Sequence, residues 1–329
     1  MSERVIFLTG GTGFIGARLV RRLLANGMQV RCLVRSAARA ESLRAAGAEL
    51  LVGEITDQGI LETGMRGCAL AYHLAAVYDI GVIDRNAMEH TNVDGTRAFL
   101  GALQTSAVTK GIYVSTTAAL GPSESGESDR VAEYGGPFPS HYHRTKATAH
   151  RLAREAQKRG VPLIIVCPAF VYGPGDNGPG GRFMRDLLRK RVPGLLTKPA
   201  WFSYVHVDDV VEGLVLAGER GRLGATYVLS GEPESVTGFA RRVAQIAKIK
   251  PPLLRFPPFM AAATGTLLDA VTRLTGLGFP ISREAVAVTA GHRWLHTHEP
   301  ATKELNWKPR SLEQGLPETV NWFLAQSKS

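Results

Sequence analysis

The sequence predicts an α/β fold: a doubly wound parallel sheet followed by a smaller C-terminal α/β part. Three observations carry this. A strand-like apolar run ends in three spaced glycines, Val5-Ile6-Phe7-Leu8-Thr9-Gly10-Gly11-Thr12-Gly13-Phe14-Ile15-Gly16, and a helical pattern follows. Strand-like and helix-like segments then alternate to about residue 167. The strand candidates are continuously apolar, as in parallel strands covered on both faces.

The elements follow in order. Strand candidates are 4–9, 29–34, 48–52, 69–74, 110–116 and 162–167. Amphipathic stretches near 14–26, 37–46, 57–66, 90–106 and 141–159 lie between them as crossover helices. Residues 118–139, rich in Gly, Ser, Pro and Glu, form a long linker of the kind that serves function or moves. After Pro168 the texture changes. Gly173–Gly181 reads as a loop, 182–191, 208–218 and 236–248 as helices, and 225–229 as a strand. Phe259–Thr275 is apolar but interrupted by Asp269 and Arg273 and short for a membrane span. A buried or lid helix is expected there, with a membrane-surface helix as the alternative. Ser311–Gln326 reads as a helix with Leu312, Leu316, Val320 and Phe323 inward. The expected division is a Rossmann-type dinucleotide-binding domain over 1–168 and a substrate-binding part over 169–329, the two interleaving.

The glycines have separate tasks. Gly10 permits the turn, Gly13 lets a phosphate approach the backbone, and Gly16 lets the helix pack on the strand. The helix N-terminus that follows has unpaired N–H groups and partial positive charge, which suit a pyrophosphate.

Composition narrows the function. The chain has 329 residues, 44% hydrophobic and 21% charged, as an ordinary globular enzyme does. The net charge of +10 and pI near 9.7 raise the question of nucleic acid. The basic residues, among them Arg18, Arg21, Arg22, Arg151 and Arg154, are scattered at helical spacings without a recognition motif, so no nucleic-acid partner is expected. Such a surface attracts an anionic dinucleotide or substrate instead. Cys32, Cys68 and Cys167 sit in or beside apolar runs, outside any metal or redox motif; they read as buried thiols in a reducing cytoplasm. The first strand begins almost at once, so no secretory leader is expected. No integral membrane segment and no metal site are expected.

In NAD-binding versions of this unit, an acidic residue about 20 positions past the glycines holds the ribose 2′-hydroxyl. Here the second strand ends Val30-Arg31-Cys32-Leu33-Val34-Arg35-Ser36; Val34 takes the likely place of the acid and Arg35 follows. An arginine there can pair with a 2′-phosphate, so NADP(H) is favoured over NAD(H). Arg31 is an alternative contact nearer the middle of the strand.

Three further segments complete a pattern. Ile112-Tyr113-Val114-Ser115-Thr116-Thr117 is a strand ending in hydroxyls. Ser140-His141-Tyr142-His143-Arg144-Thr145-Lys146 places Tyr142 and Lys146 on one helix face. Cys167-Pro168-Ala169-Phe170-Val171-Tyr172-Gly173 ends the next strand. With the glycine turn, Tyr72-His73-Leu74-Ala75-Ala76, Asn92-Val93-Asp94-Gly95-Thr96 and Tyr204-Val205-His206-Val207-Asp208-Asp209-Val210, these segments make the chain resemble the extended short-chain dehydrogenases/reductases. The nearest texture is the dihydroflavonol-reductase-like group of the NAD-dependent epimerase/dehydratase family. The C-terminal half is also similar to bacterial proteins labelled hopanoid-associated sugar epimerases.

The resemblance implies roles. Tyr142 is the general acid or base, and Lys146 lowers its pKa and holds the nicotinamide ribose. Thr116, with Thr117 as the alternative, orients the substrate oxygen. Gly10, Thr12, Gly13, Phe14, Ile15, Gly16, Arg35, Ala75, Lys146, Pro168 and Val171 line the cofactor. Homodimerisation through the helices near 90–106 and 141–159 is possible on the same ground.

Two departures bear on the substrate. Where nucleotide-sugar members carry an Arg-Asp pair this chain has Trp201-Phe202-Ser203, and where plant flavonoid reductases place an asparagine it has Gly121. The expected activity is NADP(H)-dependent interconversion of a ketone or aldehyde and an alcohol on a fairly apolar small molecule. The rivals are a nucleotide-sugar epimerase or dehydratase with retained cofactor, and a non-catalytic NADP-binding regulator.

Overall fold

The computed structural model describes residues 5–123, 127–128, 134–279 and 281–326. Parts of the 118–139 linker, 124–126 and 129–133, thus lie outside the described residues.

The first part of the chain runs β1 (Val5–Thr9), α1 (Gly16–Ala25), β2 (Gln29–Val34), α2 (Glu41–Ala45), β3 (Glu49–Val52), α3 (Gln58–Met65), β4 (Cys68–His73), α4 (Arg85–Glu89), α5 (Gly95–Thr105), β5 (Lys110–Val114), β6 (Glu127–Ser128), α6 (His141–Lys158) and β7 (Leu163–Pro168). It continues β8 (Phe170–Tyr172), α7 (Pro179–Leu188), β9 (Gly194–Leu196), β10 (Trp201–His206), α8 (Val207–Arg220), β11 (Thr226–Leu229), β12 (Glu232–Ser235), α9 (Val236–Ile246), β13 (Leu254–Phe256), α10 (Pro258–Thr275), α11 (Arg283–Thr289), β14 (Arg293–His296), α12 (Glu299–Leu305) and α13 (Leu312–Gln326).

Seven parallel strands form the main sheet in the order β11-β7-β5-β4-β1-β2-β3. The order reverses between β1 and β4, so their C-terminal edges open a crevice where doubly wound sheets bind ligands. Helices cover both faces, and the inner strand β7 is fully buried: Leu163, Ile164, Ile165, Val166 and Cys167 are all at 0% exposure, while the edge strand β3 is half-buried. The chain crosses back after the first seven strands. Strand β11 pairs with β7 in this sheet, and α8 packs against α1.

A second sheet, β12-β10-β14-β6 with β8 beside β10, lies under the C-terminal helices. Its strands are short and polar in part, and only β11 of the late strands was marked by an apolar run. Its core holds Tyr172, Phe202, Tyr204, Phe239, Trp294 and, from α13, the expected Leu312, Leu316, Val320 and Phe323.

Element ends differ from the sequence expectation in ways with local causes. Strand β5 stops at Val114, because the Thr116 hydroxyl accepts the Ala118 N–H at 3.2 Å and caps a short 3-10 turn, Thr117–Ala119. The helix expected over 90–106 begins earlier, with α4, and passes through a π-helical turn at His90–Asp94. Helix α10 departs most from the expectation of burial. Only Gly265 and Asp269 are fully buried along it, and Phe259, Met260, Ala263, Leu267, Ala270 and Leu274 are exposed.

Candidate active site

The glycine turn is built around backbone contacts that exclude side chains. Gly10 has φ +79°, and a Cβ there would lie 2.5 Å from the Ala75 nitrogen. A Cβ at Gly16 would lie 2.1 Å from the Gly10 carbonyl oxygen. The Gly13 N–H donates to that oxygen at 3.1 Å. Helix α1 therefore starts at Gly16, two residues later than its apolar pattern, and butts directly onto the turn. It has no side-chain cap and no acidic residue in its first turn. Thr12 and Gly13 are exposed at the tip, with Phe14 and Ile15 half-buried behind them. Uncapped N–H groups above a cradle closed to any Cβ fit a dinucleotide pyrophosphate.

Ala75 is held opposite Gly10 by a buried chain of polar groups. Thr9 Oγ1 lies 2.8 Å from His73 Nδ1, and His73 Nε2 lies 3.1 Å from Thr96 Oγ1. The Ala75 N–H reaches Thr9 Oγ1 at 3.4 Å. Burial pushes the His73 imidazole down to about 3, aided by the nearby Lys146, so the ring is neutral and its two nitrogens divide donor and acceptor roles. The sequence motif included His73 but carried no sign of this role.

Of the two arginines considered for the 2′-phosphate, Arg31 is committed elsewhere. It pairs with Glu49 at 2.8 Å and donates to the Gly64 and Arg66 carbonyls. Arg35 stands exposed just past β2 and forms no ion pair among the described residues. Val34 is buried.

Tyr142 and Lys146 lie one turn apart on α6, whose N-cap Ser140 accepts the His143 N–H at 3.4 Å. The Thr116 side chain lies beside the Tyr142 phenol; burial raises the phenol's pKa above its ordinary range, while the neighbouring Thr116 hydroxyl pulls it down. Thr117, the alternative to Thr116, is buried. The Lys146 ammonium donates to the Val114 carbonyl at 3.0 Å and to Tyr113 Oη at 3.3 Å. Burial pushes Lys146 down to about 8.

Two residues at the site were not singled out from sequence. The Tyr78 ring packs 4.6 Å from that of Tyr142. The Asn92 side chain joins the loop bearing Tyr78 to α6: Oδ1 accepts the Val77 N–H at 2.7 Å, and Nδ2 donates to Thr145 Oγ1 at 3.0 Å. The Asn92 motif was visible, but the partner positions lie far apart in the chain.

The far wall comes from the C-terminal part. Pro168 ends β7 and Val171 lies half-buried in β8. Phe170 packs 5.2 Å from Phe202 and 4.9 Å from Tyr204. Phe202 is therefore a core residue at 8% exposure, while Trp201 is half-buried beneath the Arg293 guanidinium. Arg182 pairs with Asp79, and Arg185 donates to Asn177 at 3.2 Å. The Asp176 carboxylate accepts the Gly178 N–H at 2.7 Å and is pushed above the usual range by burial.

Residues 6–230 match the model of the NAD-dependent epimerase/dehydratase family. A Synechocystis protein with a provisional dihydroflavonol 4-reductase name is 31% identical, over 96% of this chain and 94% of its own. The 4-hydroxy-2-methyl-3-oxo-4-farnesyl-3,4-dihydroquinoline-1-oxide ketoreductase of Stigmatella aurantiaca is 30% identical over 94% of each. The solved structure of dTDP-glucose 4,6-dehydratase from Bacillus anthracis in complex with NAD superimposes with a TM-score of 0.74 at 20% identity, covering 99% of this chain and 98% of that one.

Proposed function

The chain belongs to the NAD-dependent epimerase/dehydratase family of extended short-chain dehydrogenases/reductases, and from that premise we propose that it is an NADP(H)-dependent reductase of an apolar ketone or aldehyde, running in reverse on the alcohol. The observation that carries the reading is the half-buried Tyr142 phenol beside the Thr116 side chain, with Lys146 one turn along α6, near the C-terminal edge of the sheet.

In this reading the main sheet of residues 1–168 holds the dinucleotide. Gly10, Thr12, Gly13, Phe14, Ile15 and Gly16 receive the pyrophosphate, Ala75 lies behind it, and Pro168 and Val171 flank the nicotinamide. Arg35 takes the 2′-phosphate. Residues 169–329 supply most of the substrate wall. When bound, the nicotinamide supplies the hydride that the carbonyl carbon accepts. Tyr142 gives its phenolic proton to the carbonyl oxygen, and the product is the alcohol. The raised pKa keeps Tyr142 protonated near neutral pH, as an acid requires. Lys146 holds positive charge beside the site and favours the phenolate that remains. Thr116 orients the reacting oxygen. The thiols take no part, since burial pushes Cys32 and Cys167 up to about 12.

Charge supports an apolar substrate over a nucleotide sugar. Arg182 and Arg185, the arginines that follow the Gly-Pro loop, are both engaged by acceptors of this chain. A diphosphate in this cleft would have to displace them or remain unpaired at high cost. The Stigmatella relative, by its name, reduces a ketone on a molecule bearing a farnesyl chain. The three unpaired, buried cysteines support a cytoplasmic location.

The test is NADPH oxidation against a panel of aryl, terpenoid and steroid-like ketones and aldehydes, beside thermal shifts with uridine, guanosine and thymidine diphosphate sugars. Turnover of the first group without protection by the second is expected. Saturable micromolar binding of a nucleotide sugar, with no net NADPH consumption, would overturn the reading in favour of an epimerase.

A further inference from the structure

Helix α10 meets the rest of the molecule along one side only. A Cβ at Gly265 would lie 2.6 Å from the Ser282 carbonyl carbon, so the helix is pressed backbone to backbone on the start of α11. Asp269 Oδ2 accepts the Arg283 N–H at 3.1 Å on the same side. The opposite side is apolar and open. Met260, Leu267 and Leu274 are 50%, 66% and 87% exposed, and with Ala263 and Ala270 they form one stripe at spacings of three and four. Phe259 extends it at one end, Leu277 at the other, and Leu253 and Leu254 stand exposed just before the helix. A contiguous apolar surface of this kind marks an interaction site.

The charges around the stripe select the occupant. On or directly beside α10 the exposed basic residues are Arg255, Arg273 and Arg283, with Lys248 and Lys250 earlier in the chain; the one acid of residues 248–283 is Asp269, which is buried, and the next, Glu284, faces the Gly81 and His141 N–H groups. A two-fold pairing with a second copy would set this basic rim against itself. An anionic lipid surface satisfies the rim and the stripe together. No helix among the described residues is long and apolar enough to cross a membrane, so the fitting mode is one that lies in the interface.

We propose that α10, with the leucines beside it, docks this protein onto an anionic phospholipid leaflet. The docked face adjoins the candidate active site. Glu284 of α11 accepts the Gly81 N–H at 3.2 Å and the His141 N–H at 3.3 Å, tying the α10–α11 pair to the loop after β4 and to the start of α6. A cavity of about 290 Å³ lined by Gly81, Val82, Ile83, Arg85 and Arg273 lies along this seam. Entry of an apolar substrate from the lipid rests on the proposed reaction; the docking does not.

Flotation of the full-length protein with phosphatidylcholine vesicles, with and without phosphatidylglycerol, tests this. The protein should float with the anionic vesicles, stay behind with the neutral ones, and be released by high salt. The double variant Leu267→Glu, Leu274→Glu should partition at least about tenfold less, since two leucines lose their transfer into the interface. Both positions are exposed, so its melting temperature and its NADPH binding should match the parent. Arg255→Glu with Arg273→Glu should remove the preference for anionic lipid. A parent protein that never floats overturns the proposal, as does a leucine variant that floats equally well. So does light scattering that finds a dimer which the leucine variant dissolves, because a second copy would then cover this face. A protein that floats yet reduces no carbonyl compound would leave the docking standing and defeat only the reaction.

Discussion

Lys146 donates to the Val114 carbonyl at 3.0 Å, tying helix α6 to the C-terminal end of strand β5. Two residues past Val114 the chain turns at Thr116, whose side chain meets Tyr142 on that same helix. The lysine is thus a brace as well as a charge. A buried ammonium costs stability unless its protons are satisfied, and here Val114 and Tyr113 Oη satisfy two of them.

Removing the proton of Tyr142 separates chemistry from binding. Tyr142→Phe keeps the ring that packs against Tyr78 and loses the proposed acid. Turnover should fall by roughly 10²–10⁴, the range for lost acid–base catalysis, with NADPH affinity nearly unchanged. Lys146→Ala should reduce both. Steady-state kinetics and a cofactor titration of the two variants decide the matter, and near-native turnover in the phenylalanine variant would remove Tyr142 from its role.

The depressed pKa of Lys146 makes a claim about stability against pH. Its folded value is about 8, below the ordinary lysine value of 10.5. Between those values the unfolded chain binds the proton and the folded one does not, so stability rises as pH increases through that window. Below about 8 the full penalty of the buried charge applies. The gap in unfolding free energy between the parent and Lys146→Met, without cofactor, should therefore shift toward the parent by about 3 kcal/mol from pH 7.5 to pH 10.5. Urea titrations across that range measure it, and a gap independent of pH would show that the lysine titrates normally.

How much of this was legible in the sequence depends on the reach of each signal. The glycine turn and β1, β2, β4, β5 and β7 were readable because each is a local apolar run with a local stop. The pair Tyr142 and Lys146 was readable because helical periodicity puts residues four apart on one face. Strands β8, β9, β10, β12 and β14 were missed. They are three to six residues long and owe their pairing to distant partners, such as Trp201 with Arg293. Nothing local in the sequence separates a ligand wall from a core at Phe202; the neighbouring Phe170, Tyr204 and Trp294 rings place it in the core. Helix α10 is expected as a buried or lid helix, with a membrane-surface helix as the alternative, because its apolar residues carry no local sign of which side they face. Its main packing partner α11 and its outward leucines are tertiary facts.

Two glycines of nearly equal φ should respond differently to a methyl group. Gly27 has φ +77° and nothing within 4 Å of an added Cβ, so Gly27→Ala should cost only the backbone strain of about 1–2 kcal/mol. Gly10 has φ +79°, with the Ala75 nitrogen at 2.5 Å and the Leu74 carbonyl carbon at 2.6 Å. Gly10→Ala should cost clearly more, because β1 and the segment after β4 must part. It should also weaken NADPH, because the proposed pyrophosphate cradle is this same turn. Thermal melts and cofactor titrations of both variants test this, and equal losses would mean that the close approach to Ala75 is unimportant.

In the proposed reading, cofactor choice turns on Arg35. The C-terminal end of β2 offers no carboxylate to a ribose 2′-hydroxyl: Val34 is buried, and Arg35 is the first charged side chain beyond the strand. Arg31 cannot take over, because Glu49 and two backbone carbonyls already hold it. Arg35 forms no ion pair among the described residues, so it would give up no internal partner to bind a phosphate. A charge-assisted contact of this type contributes ~1.5–3 kcal/mol, equivalent to about ten- to more than a hundredfold in affinity. Arg35→Ala should weaken NADPH by that factor and leave NADH almost unchanged, since NADH presents no phosphate at that position. Arg31→Ala should instead lower the melting temperature without changing the ratio of the two affinities. Isothermal titration of the parent and both variants with each cofactor gives the three affinity ratios needed. If the parent binds NADH and NADPH equally, Arg35 is a solvated surface residue and the assignment to NADP(H) fails.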